Sequence, residues 1–155
     1  MIELIGKPRE KMTRDHMRPT NPKLIKAIVT ADVGPFFVTG HTAAIASLKR
    51  IFANVYRKHP TLYAVLGSAG MFNCRLVRGS KTAISNHAWG TAIDIKIDDI
   101  LDTRGDGYCQ RGLLELYPFF HDEGWYWGAE FGTEDAMHFE VADETVRKWA
   151  KAGLL

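Results

Sequence analysis

Between Thr42 and Lys58 the apolar positions recur at threes and fours: Ile45, Leu48, Phe52, Val55 and Tyr56. Lys49, Arg50, Asn54 and Arg57 fall between them. That spacing predicts an amphipathic helix. His59-Pro60 ends it, because a residue before proline avoids helical geometry. The apolar run Leu62 to Leu66 predicts a short strand. From Ala92 to Ile97 the pattern alternates, with Ile93, Ile95 and Ile97 on one face and Asp94 and Lys96 on the other, which predicts a strand. Residues 98–109 hold Asp98, Asp99, Asp102, Asp106 and two glycines, the composition of a loop or hairpin end. A second helix is predicted over 110–122, kinked or shortened by Pro118, with Gly124 suited to the position after it. Met137 to Val141 predicts another strand. Asp143 is expected to cap a last helix through Trp149, with Gly153 past its end. Strands and helices follow no regular βαβ alternation, so the expected class is α+β, a small sheet flanked by helices.

The chain has 155 residues, which fits one domain. The first 34 residues are expected to form a basic lead-in, in which Lys7, Arg9, Lys11, Arg14 and Arg18 are offset by Glu10 and Asp15. Such a segment is either a solvated arm along the domain or a patch for an anionic polymer. With 46% hydrophobic and 25% charged residues the composition is globular, which excludes a disordered or collagen-like chain. A net charge of +2 gives no reason to expect a nucleic-acid partner. No apolar run approaches the ~18 residues of a membrane span, so no membrane insertion is expected. Cys74 and Cys109 are too few for a disulfide framework, and no C-x-x-C pair occurs for a thiolate metal knuckle.

Two segments concentrate the residue types that carry chemistry, Ser85 to Asp94 (SNHAWGTAID) and Glu134 to Glu140 (EDAMHFE). If the two strands that they contain are neighbours, His87, Asp94 and His138 converge. Two imidazoles and a carboxylate suit a catalytic zinc ion, with a fourth position left for water. Asp135, three residues before His138, then stands where it can take a proton from that water and pass it to a leaving amine. Glu140 shares a strand face with His138 and can orient its imidazole. Each residue also has a plainer reading: a structural histidine, a surface aspartate on a strand, an aspartate in a turn. No H-E-x-x-H helix pattern occurs. A serine hydrolase built on Ser85, His87 and Asp94 is disfavoured, because Ser85 and His87 are two apart and no G-x-S-x-G turn is present. Cys74 as a nucleophile competes with its reading as a small buried thiol. The acidic loop at 98–106 lacks an EF-hand pattern, with Arg104 at a ligand place, and reads as a solvated turn.

The first segment resembles the S-x-H-x-x-G-x-A-x-D motif of the D-Ala-D-Ala carboxypeptidase/endopeptidase family of zinc peptidases, the M15 or VanY/VanX-like family. Ser85, His87, Gly90, Ala92 and Asp94 occupy its fixed positions. The second resembles the family's pairing of an acidic residue with a zinc-binding histidine three positions on, here Asp135 and His138. Many members have glutamate at the acidic place; aspartate resembles the phage endolysin-like members. Asn73-Cys74-Arg75 is similar to the family's upstream arginine segment. The resemblance spans roughly residues 35–142 and implies a fold like that of the D,D-peptidases and Hedgehog-type domains. It implies Zn2+ as cofactor and peptidoglycan stem peptide as substrate. Catalytic roles fall to Asp135 and Arg75, metal ligation to His87, Asp94 and His138, and substrate contacts to Ser85, Arg75 and Trp89.

The implied activity is hydrolysis of an amide in the stem peptide, with an L-Ala–D-Glu endopeptidase preferred to a D-Ala-D-Ala carboxypeptidase or dipeptidase. A non-catalytic zinc-binding module is the alternative of another class. A monomer is expected. The N-terminal stretch has no apolar core of a secretory signal, so the expectation is cytoplasmic synthesis and action at the bacterial wall after release. Both imidazoles must be neutral to bind metal, so zinc affinity is expected to fall below about pH 6.

Overall fold

A computed structural model describes residues 1–155. In chain order the elements are α1 (Ile2–Ile5), α2 (Pro22–Ala27), β1 (Ile28–Asp32), β2 (Phe37–His41), α3 (Thr42–Lys58), α4 (Pro60–Tyr63), β3 (Leu66–Gly70), β4 (Ala92–Ile97), β5 (Ile100–Leu101), α5 (Arg111–Asp122), β6 (Trp125–Trp127), β7 (His138–Val141) and α6 (Asp143–Lys151). Short 3-10 turns cover Asn86–Trp89 and Gly128–Glu130.

Strands β3, β4, β7 and β6 lie in that order, all antiparallel, and β5 extends the end of β4. A separate antiparallel hairpin joins β1 to β2. The class is α+β, a small antiparallel sheet flanked by helices, as the pattern implied. One face of the sheet is dry because Ile93, Ile95 and Phe139, all fully buried, pack beneath α3 and α5. The helices answer with Leu48, Ile51, Phe52 and Val55 from α3, and Leu113, Leu116 and Phe120 from α5. Phe120 stacks on Phe139 at 4.2 Å between ring centroids, which ties α5 to the strand that carries His138. Each such burial contributes roughly 1.5–3 kcal/mol, so this face fixes the sheet that the other face uses.

α3 runs from Thr42 to Lys58 as its periodicity required. α5 continues through Pro118, which sits on the exposed side of the helix. Two expectations are corrected. The run Leu62 to Leu66 does not form a strand: Pro60 starts the short helix α4, and the strand begins only at Leu66. Proline fits the first helical position, where no N–H is needed, and that preference outweighs the apolar run. Asp143 is the first residue inside α6 rather than its cap, which falls to Ala142. Asp98 and Asp99 hold left-handed backbone (φ 54° and 59°) in a two-residue turn from β4 to β5, a type I′ hairpin.

The N-terminal residues do more than lead in. Ile5 and Leu24 form a second small core with Cys74, Ala88 and Trp89. Thr13 and Met17 pair with the backbone of Leu76 and Cys74, so this segment braces the chain on both sides of Arg75. Lys7, Lys11, Arg14 and Arg18 stay exposed. Cys74 is buried, Cys109 is exposed, and neither is in a disulfide. No helix is long and apolar enough to cross a membrane.

Candidate metal centre

The open face of the sheet carries the site. Asp94 on β4 and His138 on β7 are register partners across the antiparallel pair, so their side chains share a face. His87 reaches them from the 3-10 turn that precedes β4. That turn ends at Gly90 in left-handed backbone (φ 65°). A Cβ on Gly90 would lie 2.7 Å from the His41 nitrogen and 2.9 Å from the Gly40 Cα, so the H-x-x-G spacing is both a turn and a close approach to β2. On the other side, Gly128 seats the chain that leads to His138. Its carbonyl accepts from the Asp135 N–H at 2.9 Å, and a Cβ there would collide with the Asp135 carbonyl oxygen.

The three side chains meet closely. His87 Nε2 lies 3.1 Å from His138 Nδ1 and 3.3 Å from Asp94 Oδ1, and His138 Nδ1 lies 3.1 Å from Asp94 Oδ1. The outer nitrogens are already engaged. His87 Nδ1 lies 2.8 Å from the Met71 carbonyl, which can only accept, so Nδ1 carries the proton and Nε2 faces inward with a lone pair. His138 Nε2 lies 2.8 Å from Glu140 Oε2, so its Nδ1 faces inward. Three electron-rich atoms thus sit in contact, which is stable only with a cation or a proton among them. Zinc bonds of ~2.0–2.1 Å at tetrahedral angles separate neighbouring donors by ~3.3 Å, close to the distances found here. This two-imidazole, one-carboxylate set can hold a metal ion, and its chemistry fits zinc.

The electrostatics agree with that geometry. Burial pushes the Asp94 carboxyl up, but hydrogen bonds and charge from His138 and His87 outweigh it and hold it well below the usual carboxylate range. Burial alone would lower His138; hydrogen bonds and charge from Asp94 and Glu140 outweigh it and push the metal-free imidazole up to about 9. Glu140 is raised by burial and lowered more strongly by His138. The group behaves as a preformed cation site in which a proton on His138 stands where a metal would. Replacing Glu140 with glutamine removes the carboxylate that sets the His138 tautomer. The expected outcome is a metal affinity about 10–100-fold weaker, read by competition with a chromophoric chelator. An affinity equal to that of the parent chain would show that Glu140 does not serve this imidazole.

Around the group lies a cleft of about 650 Å3, lined by Ser85, Arg75, Arg78, Arg104, Asp135 and Glu140 as well as the three central residues. Asp135 is half-buried there and pairs with Arg104, Nε to Oδ2 3.2 Å. Burial pushes its carboxyl above the usual range; His138 opposes this, Asp94 adds to it, and Arg104 opposes it. Arg75 lines the cleft and donates to the Leu76 carbonyl at 3.0 Å. Ser85 accepts no side-chain capping role, but its N–H bonds the Arg75 carbonyl at 3.2 Å and so links the motif to the arginine segment.

Trp89 is the sequence candidate that lies elsewhere. It is 2% exposed, in the second core, and its indole N–H donates to the Gly6 carbonyl at 2.8 Å. Substrate cannot reach it; the 3-10 turn that points His87 into the cleft turns Trp89 under the N-terminal segment. Trp125 and Trp127 are likewise core residues. Arg104 and the Met71 carbonyl were not anticipated. Arg104 sits in an acidic loop with no motif to mark it, and a backbone carbonyl leaves no trace in a sequence.

Residues 78–141 match a family model described as D-alanyl-D-alanine carboxypeptidase, of the M15 peptidases. The matched segment contains His87, Asp94, Arg104, Asp135, His138 and Glu140, while Arg75 falls just outside it. No curated protein and no solved structure matches the chain. The motif residues assemble on one sheet face and the family match runs through them, so residues 78–141 of this chain are similar to the M15 family of peptidases.

Proposed function

We propose that this chain is a zinc-dependent endopeptidase of the peptidoglycan stem peptide, cleaving the L-Ala–D-Glu amide at the bacterial cell wall. The observation that carries this reading is the close group of His87, Asp94 and His138 with the Asp135 carboxylate in the same cleft. Zinc held by those three residues supplies Lewis acidity and lowers the pKa of water towards ~7. The chain's own groups do the rest. The Met71 carbonyl and Glu140 fix the two rings, so neither must reorient during turnover. Arg104 engages Oδ2 of Asp135 and leaves Oδ1 for the attacking water. Asp135 accepts that proton and returns it to the leaving amine nitrogen, and a carboxyl raised by burial suits both halves of the task. Arg75 is a fixed cation for a substrate carbonyl or carboxylate oxygen. Ser85 offers a hydroxyl at the cleft wall. One chain supplies every group named, which supports a monomer as the working form. The exposed lysines and arginines of the first 18 residues favour contact with an anionic wall.

The family description favours a second reading, removal of a terminal D-Ala. A soluble stem fragment that ends before the D-Ala residues separates the two. An endopeptidase cuts it and releases a new amino-terminal D-Glu. A carboxypeptidase leaves it intact and acts only on the fragment that carries D-Ala-D-Ala. Binding without cleavage of either fragment by zinc-loaded protein would favour a non-catalytic module.

A further inference from the structure

The cleft does not end at the metal-ligating group. Strand β3 has a bulge between Ser68 and Gly70, opposite Asp94, and the extra residue, Ala69, lines three adjoining hollows. The large one holds Arg75, Arg78 and Arg104. A small one, of about 80 Å3, lies over His87 and Asp94 and shares Asn73 and Arg75 with the first. It shares Gly70, Met71 and Phe72 with a third hollow, of about 360 Å3, between the β1–β2 hairpin and β3. A continuous groove therefore passes the metal site and extends to both sides of it.

The two arms differ in charge. Arg104 is paired with Asp135, but neither Arg75 nor Arg78 is in an ion pair, so one arm presents two guanidinium groups without a carboxylate partner, although Asp94, Asp102, Asp135 and Glu140 line it as well. The other arm has no charged residue in its lining; Thr30, Phe37, Thr39, Ser68 and Phe72 are among those that form it. Phe37 is 72% exposed, on the outward face of β2, so its aromatic ring is open to solvent. Thr30 and Thr39 face each other across the hairpin with their hydroxyls 2.7 Å apart. β3 is an end strand of the sheet, and a bulge leaves its extra residue outside the ladder. At Gly70 a Cβ would meet nothing within 4 Å, so the space before this edge is open.

We propose that the neutral arm is a second substrate subsite, which takes an extended, uncharged segment on the side of the scissile bond away from the substrate's carboxylates. The inference rests on the peptidase reading above. An ion placed there would lose water without gaining a partner, whereas an uncharged acyl or peptide segment can lie against Phe37 and pair its backbone with the β3 edge. The carboxylate-bearing segment then falls in the Arg75 and Arg78 arm.

Three soluble substrates with one scissile bond test this: a short acidic stem peptide, the same peptide with a neutral N-acyl dipeptide added away from its carboxylates, and one with a charged dipeptide there. In the parent chain the neutral extension is expected to raise kcat/KM about tenfold, the return from covering part of one aromatic ring, and the charged extension is not. In Phe37→Ala the ratio of neutral-extended to short substrate falls towards one. A parent chain that ignores the extension, or gains equally from the charged one, overturns the proposal. So does a ratio that Phe37→Ala leaves at the parent value. If zinc-loaded parent protein cleaves none of the three, the peptidase reading itself fails and takes this subsite with it.

Discussion

Replacing Asp135 with asparagine is expected to lower kcat by about 10²–10⁴-fold while the bound metal stays at the parent level. Asparagine keeps the size of the side chain and loses only its ability to accept and return a proton. The metal is indifferent to the change because Asp135 is not among the three converging donors. The fold is indifferent too, because Asp135 is tied to Gly128 and His138 through its backbone groups. The substitution does release Arg104 from its ion pair, so Arg104→Gln is the natural companion. If Arg104 only orients the carboxylate, its loss lowers kcat far less than the loss of Asp135. Steady-state rates on a soluble stem peptide, with metal content by atomic absorption, check both. A kcat for Asp135→Asn within a few-fold of the parent value would place the proton-transfer group elsewhere.

The second large effect is on metal binding as a function of pH. In the metal-free protein the Asp94 and Glu140 carboxylates hold a proton on His138 up to a pH of about 9. Metal binding must expel that proton. Apparent affinity should therefore rise about tenfold per pH unit well below 9, roughly 500-fold between pH 6 and 9, and flatten above. The consequence for folding has the opposite sign. A histidine raised in the folded state stabilises the metal-free protein fully below its unfolded value of about 6.5, and that contribution is lost as pH rises through about 9. Metal-free melting temperature should thus decline across this window, while the metal-loaded protein, with no proton on His138, lacks that decline. Isothermal titration with zinc at four pH values in buffers of known ionisation heat measures both the affinity and the proton released. Affinity flat from pH 6 to 9 would contradict the arrangement.

The sequence alone places the loss of affinity near pH 6, because an ordinary histidine titrates there. The difference shows where sequence stops being legible. Asp94, His138 and Glu140 were all identified as metal-site residues, but their coupling depends on distances of about 3 Å across a strand pair. A register shift of one residue would have turned one of them to the other face. The local features read well. α3 follows its apolar spacing to the residue, β4 alternates as expected, and the Asp98-Asp99 turn lies where the carboxylates cluster. Elements whose identity depends on distant partners did not read. The hairpin of β1 and β2 gains its place from packing on α3 and on the His87 turn, and neither shows in a five-residue pattern. Trp89 sits beside His87 in the motif, yet its partner is the Gly6 carbonyl, 83 positions away. Arg104 meets Asp135 only because Glu134 pins the loop, its side chain accepting from the N–H groups of Gly105 at 2.6 Å and Asp106 at 3.0 Å.

The site's organisation follows from one division of labour. A dry face packed by Ile93, Ile95 and Phe139 makes β4 and β7 rigid. The opposite face of the same strands presents Asp94 and His138 in register. Groups that could hold a metal are thereby positioned by groups that only pack, which is what metal-assisted hydrolysis would require of its scaffold. Surface loops supply the remainder, Arg104 from one and Asp135 from another, and the hydrogen bonds of Glu134 join the two.

The most direct measurement is digestion of purified peptidoglycan by zinc-loaded protein, with and without a chelator, and with the products read by mass spectrometry. New amino-terminal D-Glu together with free L-Ala ends, lost with the chelator and restored by zinc, is the result expected. Products that persist after the metal is stripped would contradict a reaction that depends on His87, Asp94 and His138.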